Sequence, residues 1–201
     1  MLEPASLKVN HDPPKATTTT ADDPYNLDHY LLTSSEGFSP FEQTLGDAPF
    51  HDKNGDPIWA ALAYTEDGGA HPGKAAPHLN PPIRLPLGGR EYHLPAHSAY
   101  SIVLPNEEYM EYVPVDDIPA GYAPIVAGCE SDGLRKLYFA TASVPRTFLD
   151  GLFGGTGDMI VVPGKYGEHL GGVMVAYGGR EVLVKEGGSI LCWKKKSPPS
   201  S

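Results

Sequence analysis

The chain has 201 residues, among them 23 glycines and 21 prolines, nearly twice the combined share of these residues in an average soluble protein. Between residues 46 and 193 the longest stretch free of both is Leu134–Val144, eleven residues, too short for an isolated helix and incompatible with a helical bundle or a doubly wound α/β domain. A formal net charge of −10 leaves no basic face to neutralise phosphates, so no nucleic acid is expected as a partner. A hydrophobic content of 40% is enough for one core or two small ones. No apolar run approaches the ~18 residues of a membrane span, so membrane insertion is not expected. Met1-Leu2-Glu3-Pro4 opens neither a basic segment nor a signal-type hydrophobic region, which predicts a cytoplasmic protein or one exported without a signal peptide. Two cysteines, Cys129 and Cys192, are too few for a disulfide framework or a four-cysteine zinc site and read as reduced, packed thiols.

In chain order, residues 1–22 hold a run of four threonines and few apolar side chains, the composition of a flexible N-terminal arm. Residues 23–45 carry Tyr25, Leu27, Tyr30, Leu31, Leu32, Phe38 and Phe41, enough to dock onto a neighbouring sheet, with a short helical turn around Leu27–Leu32. An internal repeat then begins. Its first copy, placed at residues 46–111, runs Asp52-Lys53-Asn54-Gly55, Ile58 to Tyr64, Pro72-Gly73-Lys74, Gly88-Gly89-Arg90-Glu91 and Ser101-Ile102-Val103. The second, at residues 112–193, runs Glu130-Ser131-Asp132-Gly133, Leu137 to Ala142, Pro163-Gly164-Lys165, Gly178-Gly179-Arg180-Glu181 and Ser189-Ile190-Leu191. The lysine stands 14 residues before the double glycine in the first copy and 13 in the second, but 22 and 35 residues after the acidic turn. The second copy therefore carries an inserted loop at Pro145–Gly157. Residues 194–201, opening on Lys194-Lys195-Lys196, read as a solvated basic tail.

The apolar stretches are short, rich in Val, Ile, Tyr and Trp, and bounded by Gly, Pro, Asn or Asp, which is the strand signature. They predict strands at Ile58–Tyr64, Tyr100–Leu104, Tyr109–Val115, Leu137–Val144, Met159–Val162, Val173–Tyr177, Glu181–Lys185 and Ser189–Trp193. With no room for crossover helices the pairing is antiparallel. The expected fold is all-β, two related small antiparallel β-modules with pseudo-twofold symmetry.

The ordered motifs, an acidic turn, a Leu-Tyr or Ile-Trp strand, Pro-Gly-Lys and Gly-Gly-x-Glu, resemble the tandem repeat called DM-nine. Val115-Asp116-Asp117-Ile118-Pro119-Ala120-Gly121 resembles the segment that opens such a repeat. The resemblance covers residues 46–193 and is strongest from Tyr112 to Trp193. It implies a β-rich recognition module and, as in bivalve lectins of this type, mannose binding through the acidic turn residue and the lysine of Pro-Gly-Lys. Carried onto this chain, the contacts fall on Asp52 with Lys74 and on Glu130 with Lys165.

The chemistry of these residues points the same way. A carboxylate accepts from two sugar hydroxyls and an ammonium donates to their lone pairs, and such charge-assisted bonds are about twice as strong as neutral ones. Gly55, Gly73, Gly133 and Gly164 beside these groups would supply positive φ in open turns. The alternative is that both motifs are hairpin turns with a surface ion pair. Asn54 and Asp132 lie in the same acidic turns. Glu91 and Glu181 either orient the lysines or stand as exposed charges at strand starts.

Other constellations are weaker. His71, His78, His93 and His97 lack the spacing of metal ligands and read as surface or turn histidines, so no metal is expected. Gly151 to Asp158 is glycine-rich but lacks a Gly-Lys-Ser/Thr ending. Asp116-Asp117 and Glu107-Glu108 point to opposite faces of a strand, and no Ser lies in Gly-x-Ser-x-Gly. The expectation is a non-enzymatic, cofactor-free lectin with two sites per chain, its partners glycans or glycoproteins and homodimerisation adding further sites. The alternative is a scaffold that binds a protein partner such as a pore-forming companion.

Overall fold

The computed structural model describes residues 26–34, 45–95, 98–146 and 158–194. The predicted arm at 1–22, the bulk of the inserted loop (147–157) and the tail beyond Lys194 lie outside the described residues. Fifteen strands follow in chain order: β1 Leu31–Ser34, β2 Phe50–His51, β3 Pro57–Tyr64, β4 Ala70–Ala75, β5 Ile83–Leu87, β6 Arg90–His93, β7 Tyr100–Val103 and β8 Met110–Pro114. They continue as β9 Ala123–Pro124, β10 Val126–Cys129, β11 Lys136–Pro145, β12 Met159–Gly167, β13 Gly172–Tyr177, β14 Arg180–Val184 and β15 Ser189–Trp193. Leu27–Tyr30 and Glu168–Leu170 are single 3-10 turns. Among the described residues no helix is long and apolar enough to cross a membrane.

Eight strands close an antiparallel barrel in the order β4, β5, β6, β14, β13, β12, β11, β10, returning to β4 where Cys129 faces Ala70. The remaining strands extend it on both sides. β3 joins β4 to β7, which pairs with β1, while β15 joins β11 to β8. The two sequence copies meet through β4 and β10 and again through β6 and β14, where Arg90 pairs with Arg180. Two-residue turns at Gly88-Gly89 (φ 65° and 77°) and Gly178-Gly179 (φ 60° and 79°) form the hairpins on either side of that seam. Positive φ at both turn positions gives the strands their native twist.

Pro-Gly-Lys is not a turn in either copy. Pro72-Gly73-Lys74 lies in the fully buried β4, and Pro163-Gly164-Lys165 lies within β12, which runs five residues beyond the expected strand. A Cβ at Gly73 would stand 2.3 Å from the carbonyl oxygen of Arg84, and one at Gly164 2.1 Å from that of Met174. These glycines therefore permit close passage of neighbouring backbones, whereas the acidic turns do use positive φ, 90° at Gly55 and 69° at Gly133.

The core has three main parts. Trp59, Ala61, Ile83, Leu85, Tyr100 and Ile102 pack together in the first copy. Ala140, Ala142, Val162, Val173 and Val175 do so in the second. Between them, Ala60, Leu62, Val103, Met110, Ile125, Phe139 and Leu191 draw on both copies. Cys129 and Cys192 are free thiols, and burial pushes the Cys192 thiol up to about 11. Lys194, placed by the sequence at the head of the tail, donates from Nζ to the Glu107 carbonyl at 2.6 Å and from its backbone N–H to that of Tyr109 at 2.8 Å.

Candidate functional site

Two buried lysines define the site. Their side chains leave β4 and β12 at equivalent positions, opposite Ala60 and Phe139. Lys74 is 8% exposed and Lys165 only 2%, so each ammonium needs charged or polar partners to remain stable.

Lys74 Nζ lies 3.0 Å from Glu91 Oε1 and donates to the Ala176 carbonyl at 2.7 Å, a contact across the two copies. The Tyr177 ring centroid is 5.9 Å away. Glu91 also accepts the Gly179 N–H through Oε2 at 2.8 Å. Burial lowers the pKa of Lys74 and Glu91 opposes that shift. Burial also pushes the Glu91 carboxyl up, but Lys74 and the Gly179 N–H outweigh it and hold the group below the usual carboxylate range.

Asp52 stands at the rim of the same cavity. Its Oδ1 accepts the N–H groups of Asn54 at 2.7 Å and Asp56 at 3.0 Å, and its Oδ2 lies 3.2 Å from His78 Nε2. Asn54 therefore serves the turn through its backbone. The ion-pair partner of Lys74 is Glu91, not Asp52. The cavity measures about 440 Å³ and is lined by Asp52, Lys74 and Glu91 from the first copy and by Arg146, Val162 and Tyr177 from the second. Arg146 is fixed by donating from Nε to the Lys53 carbonyl at 2.8 Å, and its own carbonyl accepts the Tyr177 hydroxyl at 2.7 Å. A second, shallower cavity of about 500 Å³ shares Asp52 and Arg146 with the first.

The counterpart is packed differently. Lys165 Nζ lies 3.8 Å from Glu181 Oε1, 3.9 Å from Glu130 Oε1 and 3.5 Å from His71 Nδ1. Glu181 accepts the Gly89 N–H at 2.7 Å, mirroring Glu91 with Gly179. Glu130 Oε1 also lies 3.1 Å from His169 Nε2. Burial lowers the Lys165 pKa against the pull of Glu130 and Glu181. Burial and then Lys165 lower that of His71. Asp132 stays in its turn. It accepts the N–H groups of Leu134 and Arg135, which with the Arg135 side chain bring its carboxyl down to about 2.

Of the carboxylates singled out from the repeat, Glu91, Glu130 and Glu181 thus lie within 4.0 Å of a lysine ammonium, Asp52 shares only the cavity of Lys74, and Asp132 stays apart. Glu91 and Glu181 are direct partners of the lysines, not exposed strand-start charges, because the double-glycine turns fold each of them over the seam. His71 is fully buried, contrary to its expected place at the surface. His78 meets Asp52, and His97 lies outside the described residues. Arg146 and Tyr177 were not foreseen, since they reach the cavity from the other copy. No family model matches the chain, and no curated protein is significantly similar to it.

Proposed function

We propose that this protein is a carbohydrate-binding lectin with mannose or a mannose-containing glycan as its preferred ligand, built from two β-modules related by a pseudo-twofold axis through the β6–β14 seam. The repeat, the Arg90–Arg180 pairing and the reciprocal Glu91–Gly179 and Glu181–Gly89 hydrogen bonds support the two-module reading. The observation that carries the function is the Lys74 cavity, where an ammonium and two carboxylates line about 440 Å³. That volume suits a small ligand, for which typical sites span ~300–1,000 Å³. Glu91 and the Ala176 carbonyl engage Lys74, and an ammonium has three donors, so one proton is available to a sugar oxygen. Asp52 provides acceptors at the rim, and Tyr177 and Val162 offer apolar surface to the C–H face of a pyranose. The shallower neighbouring cavity would take a second sugar unit. The resemblance to DM-nine repeats favours the same ligand class, as a binding site without catalysis.

A glycan array probed with the wild type and with Lys74→Met tests the proposal. A charge-assisted hydrogen bond is worth ~1.5–3 kcal/mol, so the variant loses about ten- to hundredfold in affinity for mannosides. Unchanged binding by a folded variant refutes the site, and a blank array for the wild type refutes the lectin reading.

A further inference from the structure

Besides Asp52 and Glu130 in their acidic turns, the two acid–lysine sites differ at two neighbouring matched positions. Ala61 pairs with Gly73 in the first copy as Ala140 pairs with Gly164 in the second. Counting back along the same strands, Gly69 and His71 occupy the positions of Ile160 and Val162. Ile160 and Val162 line the open cavity above Lys74. At the corresponding place beside Lys165 stands the imidazole of His71, 0% exposed, with Nδ1 3.5 Å from Lys165 Nζ and 4.0 Å from Glu130 Oε2.

The neighbouring residue accommodates this exchange. A Cβ on Gly69 would lie 2.3 Å from His71 Nε2, so the ring fits only because Gly69 has no side chain. Glycine with histidine on one side and isoleucine with valine on the other are two alternative packings of the same space. His71 Nε2 has no hydrogen-bond partner among the described residues, so the polar contacts of the ring run through Nδ1, to Lys165 and Glu130. The groups a ligand would need, Lys165, Glu130 and Glu181, are present but face the imidazole and one another.

We infer that His71 closes the second acid–lysine site, so that the chain binds one glycan, at Lys74, and not two. The inference rests on the lectin reading for its ligand but not for its geometry. Two readouts on the full chain separate them. Reductive methylation with formaldehyde and cyanoborohydride, followed by peptide mapping, reports access to Lys165 without any sugar. Calorimetric titration with methyl α-mannoside reports the number of sites.

For the wild type, Lys165 is methylated slowly and one mannoside binds. In His71→Ala, methylation of Lys165 speeds several-fold and two mannosides bind. His71→Val, which installs the counterpart residue, serves as the second variant if the alanine variant does not fold. Lys74→Met weakens mannoside binding about ten- to hundredfold in the wild-type background, while Lys165→Met leaves the one site unchanged. Two sites in the wild type, or Lys165 methylation unchanged in a folded His71 variant, overturns the inference. Faster methylation with no mannoside bound by any variant upholds the closure and refutes the lectin reading instead.

Discussion

Replacing Glu91 by alanine removes the only acidic side chain among the described residues within ion-pair distance of Lys74, and the acceptor of the Gly179 N–H. The Lys74 and Glu91 side chains retain only 10% and 11% of their surface, so water replaces the lost partner only in part. Removing one member of a buried ion pair typically costs ~3–5 kcal/mol, and the residual exposure and the Ala176 carbonyl place this case near the lower end, about 3 kcal/mol. In a domain of this size each kcal/mol lowers Tm by ~2–4 °C, which gives a drop of about 6–12 °C. Urea denaturation measures the loss directly, as a lower midpoint at unchanged slope. The double variant Lys74→Met with Glu91→Leu should recover much of it, because neither charge is then stranded. A Glu91→Ala loss below about 1 kcal/mol, the level of an exposed pair, would refute the reasoning.

Glu181→Ala has a smaller cost, about 1–3 kcal/mol, because Lys165 keeps Glu130 at 3.9 Å; urea midpoints of the two alanine variants compare them. Gly164→Ala drives a Cβ to 2.1 Å from the Met174 carbonyl and should lower stability by at least ~1–3 kcal/mol, read from thermal unfolding. Phe139→Ala empties a wholly buried position between the two copies and costs ~3–5 kcal/mol in the same assay. The folded-state pKa values of His71 and Glu91 are both depressed, so their contributions are complete above the ordinary values of ~6.5 and ~4.3 and are lost as pH falls through the folded ones. Stability therefore declines from about pH 6.5 downward. In His71→Val that decline begins only in the carboxylate range, a difference visible in denaturation midpoints across pH.

The strands built on continuous apolar runs were legible in the sequence. Ile58–Tyr64 and Val173–Tyr177 differ from β3 and β13 by one residue at the start, and Ser189–Trp193 is β15 itself. β4 and β5 were not, because Pro72, Gly73 and Pro86 carry the composition of turns. Their strand character is imposed by tertiary packing, in which Gly73 lies against the Arg84 carbonyl where a side chain would not fit. The repeated motifs, read through the resemblance to DM-nine repeats, brought Asp52, Lys74, Glu130 and Lys165 into view. It could not reveal that each lysine is answered from the other copy, by the Ala176 carbonyl at Lys74 and by His71 at Lys165. Those contacts join residues 102 and 94 positions apart and leave no local pattern.

The central claim is that the Lys74 cavity is a sugar site, and a crystal structure of the wild-type chain soaked with methyl α-mannoside tests it most directly. The account predicts a pyranose beside Tyr177, with its hydroxyls within hydrogen-bond distance of Lys74 Nζ and of a carboxylate oxygen of Asp52 or Glu91. A sugar bound elsewhere, with this cavity empty at saturating ligand, would contradict it.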